Sequence, residues 1–251
     1  MKEKTLFLAW QDKVRTRQWF PIGRLDVDSN NRLYKFRYIH GAERAKDLSG
    51  FVPLYDFPEL YKTYESSELF PLFKNRVLAS GRRDFQEYLQ CLDLPEQADP
   101  IEILSVDGGS RVTDNFEVFP KIQRKDDGTF QCRFFLHGVR HVNSSAQKRV
   151  DALNAGEQLY IAIELTNPVS DLAVQIQTLD YQMIGWAPRY LIPDLIKAIS
   201  TAPDSSKYKA HVVKVNPIPV PSKQRLLIEL SCQCSQHDPM TTEDFALLIH
   251  N

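Results

Sequence analysis

The first part of the chain carries the hydrophobic pattern of β-strands. Residues 6–10 and 19–27 are two apolar runs, and the turn-favouring residues 28–31 follow the second run. In residues 33–38 an aromatic side chain occupies every second position, which is the period of a strand with one buried face. The chain is therefore expected to open as a small antiparallel sheet.

The spacing of apolar residues then changes to that of helices. Serines begin the segment 66–78, which is otherwise rich in apolar residues, and this order predicts a helix. Residues 85–92 carry apolar side chains at i, i+3, i+4 and i+7, so a second helix with one apolar stripe is expected there. Residues 101–106 and 116–119 are predicted to be strands.

The polar segment 123–128 ends in Gly128 and is predicted to separate two domains. Beyond it we expect a long strand at 130–142 and a short helix that begins at Ser144 or Ser145. Further strands are predicted at 159–165, 172–176, 184–186, 211–215 and 225–231, and a helix at 191–199. The predicted fold class is α+β, with one domain at residues 1–122 and another at 129–251.

Composition places the chain among folded globular proteins, since 43% of its residues are hydrophobic and 25% are charged. No stretch approaches the roughly 18 apolar residues that a membrane span needs, so we expect a cytoplasmic protein with no membrane partner. Four scattered cysteines are too few for a disulfide framework and fit a reducing compartment.

Charge limits the kinds of nucleic-acid contact that the chain can make. The net charge is −1, and from Thr129 to the end eleven Lys and Arg balance eleven Asp and Glu. A protein that coats duplex phosphates usually carries a basic stripe. The balance therefore argues against broad groove binding, whereas a small pocket for a strand end needs fewer charges.

Metal and catalytic motifs are weak. Cys232, Cys234 and His237 resemble half of a metal site, but a fourth ligand with typical spacing is missing, and buried or idle thiols explain the two cysteines better. The sequence contains no G-x-S-x-G elbow, no H-E-x-x-H and no phosphate-binding G-x-x-x-x-G-K-S/T loop. We expect a protein that is not an enzyme and that uses no metal or cofactor.

One constellation in the second half resembles a HIRAN domain. It consists of Gly138-Val139-Arg140-His141, the turn Asn167-Pro168, an alternating strand, and Ile184-Gly185-Trp186-Ala187-Pro188-Arg189 before a helix. The resemblance spans roughly residues 131–231. It implies a small β-barrel related to oligonucleotide-binding barrels, with short helices, and a partner that is single-stranded DNA or a DNA 3′ end.

The resemblance also implies a set of binding residues. Arg140 matches an arginine near the bound strand, His141 stands where a tyrosine stacks on a base, and Asn167 matches an asparagine that contacts a base edge or a terminal hydroxyl. The family often has Tyr-Asp after the proline, but this chain has Val169-Ser170, so a stacking surface would have to come from elsewhere. The implied nucleic-acid-binding residues are Arg140, His141, Asn167, Ser170, Asp171, Trp186, Arg189 and Tyr190.

Purely structural interpretations of the same residues stay open. Asn167-Pro168 is a common turn pair, Trp186 on a short strand can be a core residue, and Arg140 can be an ordinary surface charge.

The first half resembles the small N-terminal subdomain of HipA-type kinases from bacterial toxin–antitoxin systems. Short pieces carry the likeness, among them Ile22-Gly23-Arg24-Leu25, Phe36-Arg37-Tyr38 and Leu69-Phe70-Pro71-Leu72. This resemblance implies a domain that contacts a protein, such as a HipA-like kinase, a nuclease or a helicase. The alternative function is therefore an antitoxin-like interaction regulator with little or no DNA binding.

Overall fold

A computed structural model describes residues 4–111, 113–201, 204–233 and 237–248. The chain divides into two compact units that are not continuous in sequence. The first unit comprises Met1–Gln86, Glu96–Lys121 and Met240–Asn251, and the second comprises Glu87–Pro95 and Ile122–Pro239. Both units mix antiparallel sheet with helices, as the α+β prediction requires. Whether 1–122 and 129–251 fold as separate domains stays a prediction.

The elements of the first half follow in chain order. They are β1 (Lys4–Gln11), β2 (Trp19–Asp28), β3 (Leu33–Tyr38), α1 (His40–Ser49), β4 (Tyr64–Ser66), α2 (Pro71–Lys74), α3 (Phe85–Cys91), α4 (Pro100–Asp107) and β5 (Phe116–Pro120). Five of the strands form one antiparallel sheet in the order β4-β3-β2-β1-β5. The predicted opening sheet is thus confirmed.

Aromatic side chains fill the core of the first unit. Phe36 and Tyr38 from β3 are fully buried, as their alternation predicted, and Phe36 stacks on Phe57 with ring centroids 4.0 Å apart. The Tyr38 hydroxyl donates to the Phe57 carbonyl (2.8 Å) and accepts from the Leu54 amide (2.7 Å). Tyr38 is therefore buried with its polar group satisfied.

Two of the predicted elements in this half are wrong. Residues 101–106 are helical, because Asp99 and Glu102 form a capping box in which each side chain accepts from the other's backbone amide (2.8 and 3.0 Å). Pro100 stands at the first turn, where its missing N–H costs nothing. The helix predicted at 66–78 is a single turn, α2, because Ser66 ends β4 and the helix begins only at Pro71.

The elements of the second half also follow in chain order. They are β6 (Thr129–Phe135), α5 (Ser144–Asp151), β7 (Gln158–Asn167), β8 (Asp171–Thr178), β9 (Met183–Trp186), α6 (Ile192–Thr201), β10 (Tyr208–Val215) and β11 (Leu226–Gln233). Short 3-10 helices lie at Val139–His141 and Arg189–Leu191. Within the described ranges, no helix has the length and apolar character needed to cross a membrane.

The strands of the second unit form one antiparallel sheet in the order β6-β11-β10-β7-β8-β9. The small closed barrel that the HIRAN resemblance implied is not observed in the described residues. The two edges of the sheet approach each other at one isolated bridge, between His137 just after β6 and Trp186 at the end of β9. The sheet is thus strongly curved but has no continuous ladder between its edges.

The predicted strand at 130–142 ends early. β6 stops at Phe135, and Gly138 takes a left-handed conformation with φ of 73°, after which the chain forms the 3-10 helix Val139–His141. The segment 125–128, predicted to be a linker, is a tight turn. The Lys125 amide donates to the Thr129 carbonyl (2.7 Å), and the Gly128 amide donates to the Lys125 carbonyl (2.9 Å).

Candidate nucleic-acid interface

Trp186 lies at the meeting point of the two sheet edges in the second unit. Its backbone exchanges two hydrogen bonds with His137, both of 2.9 Å. Its indole Nε1 donates to Glu164 Oε2 on β7 over 2.7 Å. Trp186 is partly buried. This arrangement fits an aromatic surface whose orientation is fixed by its polar edge.

Gly138 makes room for the Trp186 ring. A Cβ atom at position 138 would lie 2.4 Å from ring atom Cε3 of Trp186, which is far inside van der Waals contact. The φ of 73° at this position also disfavours any residue with a side chain. The glycine thus lets the backbone lie directly against the indole.

Arg140 and His141 extend from the 3-10 helix that follows Gly138. This helix packs against β9, which ends at Trp186, and both side chains are exposed. Arg140 Nε donates to His141 Nε2 over 3.0 Å. The expected position of Arg140 on a strand is wrong, because it lies on this 3-10 helix. The guanidinium and the imidazole are therefore exposed on an element that contacts the strand ending at Trp186.

The Asn167 side chain stabilises the turn between β7 and β8. Its Oδ1 accepts from the Val169 amide (3.0 Å), the Ser170 amide (3.1 Å) and the Ser170 hydroxyl (3.1 Å). Its Nδ2 donates to Glu164 Oε2 over 3.1 Å, and the residue is buried. In this structure Asn167 therefore acts as the organiser of its own turn.

Glu164 connects two of the predicted site residues, Asn167 and Trp186. One oxygen, Oε2, accepts from both Asn167 and Trp186. Partial burial acts to raise the pKa of Glu164, but hydrogen bonds from Trp186, Gln175 and Asn167 outweigh it and hold that pKa below its ordinary value. The carboxylate is thus ionised at neutral pH and presents a negative charge beside the indole.

The remaining predicted binding residues lie at the ends of β8 and β9. Ser170 is half-buried, and Asp171 is exposed and pairs with Asn167 in the β7–β8 ladder. Arg189 and Tyr190, on the 3-10 helix after β9, are both half-buried. Burial lowers the pKa of the Arg189 guanidinium.

Two of the three weak metal candidates, Cys232 and His237, lie within the described residues and are placed in other contacts. Cys232 is buried on β11, and Cys234 lies outside the described residues. His237 Nε2 lies 2.8 Å from Asp194 Oδ1, in a pair that is almost fully buried. Burial, followed by the neighbouring Cys232, raises the pKa of the nearby Cys132 thiol. Among the described residues, no three His, Cys, Asp or Glu side chains are placed to share a metal ion.

Sequence reasoning missed two residues of this interface. Glu164 was not singled out, although it is the only acidic residue on β7 and follows Tyr160 at an even spacing, which puts both on one face of the strand. Gly138 was quoted only as part of a motif. Its signal was an isolated glycine inside the predicted strand 130–142, a pattern that suggests a bulge or a close approach of the backbone to another group.

Comparisons with known proteins give only distant similarities. No family model matches the chain, and no curated protein matches it. A solved structure of a protein from Lactobacillus plantarum is 19% identical, with a TM-score of 0.32, and the match covers 42% of this chain and 90% of that one. The HIRAN domain of human HLTF is 12% identical, with a TM-score of 0.27 and coverage of 44% and 74%.

Proposed function

We propose that the second unit is a non-catalytic module that binds single-stranded nucleic acid, in particular single-stranded DNA or a DNA 3′ end. The observation that carries the proposal is the partly buried Trp186, whose indole is held by Glu164 and whose strand contacts the 3-10 helix that bears the exposed Arg140 and His141. The motif resemblance to HIRAN domains, found in the sequence, supports the same function.

The chemistry of these side chains suits an unpaired strand. An indole offers a π-face to any base, and stacking of one base on an aromatic side chain contributes about 1–3 kcal/mol. An exposed guanidinium pairs with a phosphate or stacks on a base through its planar group. Because these groups are few, the site suits a short stretch of strand and not a long duplex surface.

Glu164 favours a strand end over the middle of a strand. A carboxylate repels phosphates but accepts hydrogen bonds from hydroxyl groups. A terminal nucleotide has a free hydroxyl and one phosphate fewer than an internal nucleotide. The proposal therefore places the end of the strand near Glu164 and its phosphates near Arg140.

Gel shifts with single-stranded, duplex and 3′-blocked oligonucleotides test this function. We expect the protein to prefer single strands, and a 3′-phosphate to weaken binding.

Substitutions at the site give a second test. Trp186→Phe, which keeps an aromatic ring, is expected to retain more affinity than Trp186→Leu. Arg140→Ala is expected to weaken all strands similarly and to reduce the salt dependence by about one phosphate contact. Equal binding of all three oligonucleotides would contradict end recognition, and no binding would contradict the function.

A second function, contact with a protein, is favoured by the surface of the first unit. The segment after α1 exposes apolar side chains, with Val52 75% and Tyr55 98% accessible. Prolines and Tyr61 lie in the same segment and line a shallow pocket with Leu60. Clustered exposed apolar groups are typical of protein contact sites. We propose that this segment binds a protein partner, of which a HipA-like kinase is the candidate that the sequence resemblance provides.

A further inference from the structure

Two tyrosines on the second unit form an exposed stacked pair. Tyr160 on β7 and Tyr181 in the turn between β8 and β9 have ring centroids 5.5 Å apart and an interplanar angle of 27°. Their residues are 43% and 75% accessible. Large aromatic side chains are usually buried, so two that stack on each other in solvent call for an explanation.

The turn that presents Tyr181 is ordered and strained. The Tyr181 amide donates to the Thr178 carbonyl (2.9 Å), and the Thr178 amide donates to the Gln182 carbonyl (3.0 Å). Thr178 is fully buried and anchors the turn. Tyr181 itself has a φ of 61°, in the left-handed region that favours glycine or asparagine. A bulky residue held there at an energetic cost points to a function of its ring.

The tyrosine pair shares a sheet face with Trp186. Tyr160 pairs with Gln177 across β7 and β8, and Trp186 pairs with Gln175 across β8 and β9. Directly paired residues point to the same face. Gln177 Nε2 donates to Gln175 Oε1 over 3.1 Å, so two linked amides lie between the tyrosines and the indole.

The spacing between the two aromatic groups fits a short strand of nucleic acid. Gln175, which pairs with Trp186, and Gln177, which pairs with Tyr160, are two residues apart on β8. Because β7 and β9 are two strand spacings apart, the backbones of the two aromatic residues lie roughly 12 Å apart. Side-chain amides along the path can hydrogen-bond to base edges. A strand of about four nucleotides, at the short end of the range for oligonucleotide-binding barrels, spans such a path.

We propose that Tyr160 and Tyr181 form a second base-stacking platform, which binds an unpaired base a few nucleotides from the one at Trp186. This inference rests on the proposed nucleic-acid function and extends it, because it gives the site a direction and a length. The bound group is a nucleobase π-face, which DNA and RNA share. The accessible face of the pair receives the base and lengthens the stack from two rings to three.

Fluorescence anisotropy with labelled oligothymidylates of about two and about eight nucleotides tests the platform. Tyr160→Ala and Tyr181→Gly are expected to weaken binding of the long strand about fivefold or more and to leave the short strand nearly unchanged. Tyr160→Phe and Tyr181→Phe keep the rings and should bind like the unmodified protein. Val14→Ala, which shortens an exposed apolar side chain of the first unit, is the control. Comparing the affinities for oligouridylates and oligothymidylates of the same lengths shows whether the platform binds RNA, DNA or both.

Thermal melting separates the platform from a structural role. Glycine relieves the left-handed strain at position 181, so Tyr181→Gly should melt at the same temperature as the unmodified protein or higher, while it loses affinity for the long strand. If the unmodified protein binds no oligonucleotide, the proposed function and the platform both fail. Suppose that the unmodified protein binds and that Trp186→Leu weakens binding. If the tyrosine variants then still prefer the long strand over the short strand by the same factor as the unmodified protein, only the platform is overturned.

Discussion

Asp26 is a buried carboxylate that connects three strands of the first sheet. It accepts hydrogen bonds from the Thr5 hydroxyl (2.6 Å), Arg24 Nε (2.8 Å) and an Arg37 guanidinium nitrogen (2.5 Å). Burial acts to raise the pKa of Asp26, but these partners outweigh it and hold that pKa below its ordinary value of 3.8. The charged form of Asp26 therefore stabilises the fold.

Asp26→Asn is predicted to lower the free energy of unfolding by about 2 kcal/mol at pH 7. Breaking a fully buried ion pair costs about 3–5 kcal/mol, and the effect is smaller here because Arg24 and Arg37 are 23% and 25% exposed. Since the folded pKa is depressed, the stabilisation is present above the unfolded pKa and is lost as pH falls through the folded pKa. Urea unfolding at several pH values should show the difference between the two proteins shrinking as the pH falls below 3.8. A difference that stays constant with pH would contradict the ionic origin.

Glu164 gives a second test at the level of one side chain. Glu164→Gln keeps an oxygen that can accept from Trp186, but it removes a negative charge from the proposed binding face. We predict that affinity for a 3′-phosphorylated oligonucleotide at low salt rises a few-fold and that this gain shrinks above about 0.5 M salt, where charges are screened within a few ångströms. Glu229→Gln, on the β11 strand, is the control and should change affinity little. An unchanged affinity of Glu164→Gln for the 3′-phosphorylated oligonucleotide would contradict the placement of the strand end near Glu164.

The packing of α1 on β2 depends on one glycine. A Cβ atom at Gly41 would lie 1.9 Å from the Pro21 carbonyl oxygen, so the helix can approach the strand this closely only without a side chain there. Gly41→Ala is predicted to destabilise the first unit by about 3 kcal/mol or more, at the upper end of overpacking effects. Gly81→Ala is the matched control, because a Cβ atom at Gly81 meets nothing within 4 Å. If thermal melts show that Gly41→Ala and Gly81→Ala lower the melting temperature equally, the steric explanation is ruled out.

Each compact unit includes a segment that is distant in the sequence. Residues 87–95 belong to the second unit, where the fully buried Asn216 donates to the Cys91 carbonyl (2.9 Å) and the Gln224 carbonyl (2.7 Å). Residues 240–248 lie with the first unit, where Arg44 pairs with Asp244 and Ile39 forms a bridge with Leu247. These contacts connect each outlying segment to the compact unit with which it is grouped.

A pair of fragments tests this organisation. In one, residues 87–95 are joined to 122–239 by a flexible glycine–serine linker; the other contains 122–239 alone. We predict that the fragment with residues 87–95 unfolds cooperatively at a clearly higher temperature. The fragment without them lacks the Cys91 carbonyl, so the buried side-chain amide of Asn216 loses one hydrogen-bond acceptor there. Circular dichroism melts provide the comparison. Equal melting temperatures would mean that 87–95 is dispensable for the second unit.

Much of the fold was predictable because its signals are local. The alternation at 33–38 gave β3, and the apolar stripe at 85–92 gave α3. The capping box Asp99-Pro100-x-Glu102 was equally local and readable, and the helix α4 was missed only because the apolar run after it suggested a strand. Sequence therefore determined the α+β class, the strands β1, β2 and β3 that open the first unit, and most elements of the second unit.

Tertiary structure alone decided how the candidate site is assembled. Sequence named Asn167, Trp186 and Arg140, but Glu164 connects the first two, and the left-handed Gly138 leads into the 3-10 helix that bears Arg140 and contacts β9. The stacking of Tyr160 on Tyr181 depends on the register of β7 with β8 and on the turn that follows. Hydrophobic periodicity reports which face of an element is buried, whereas contacts between distant strands depend on pairing register and sheet curvature, which no local pattern encodes.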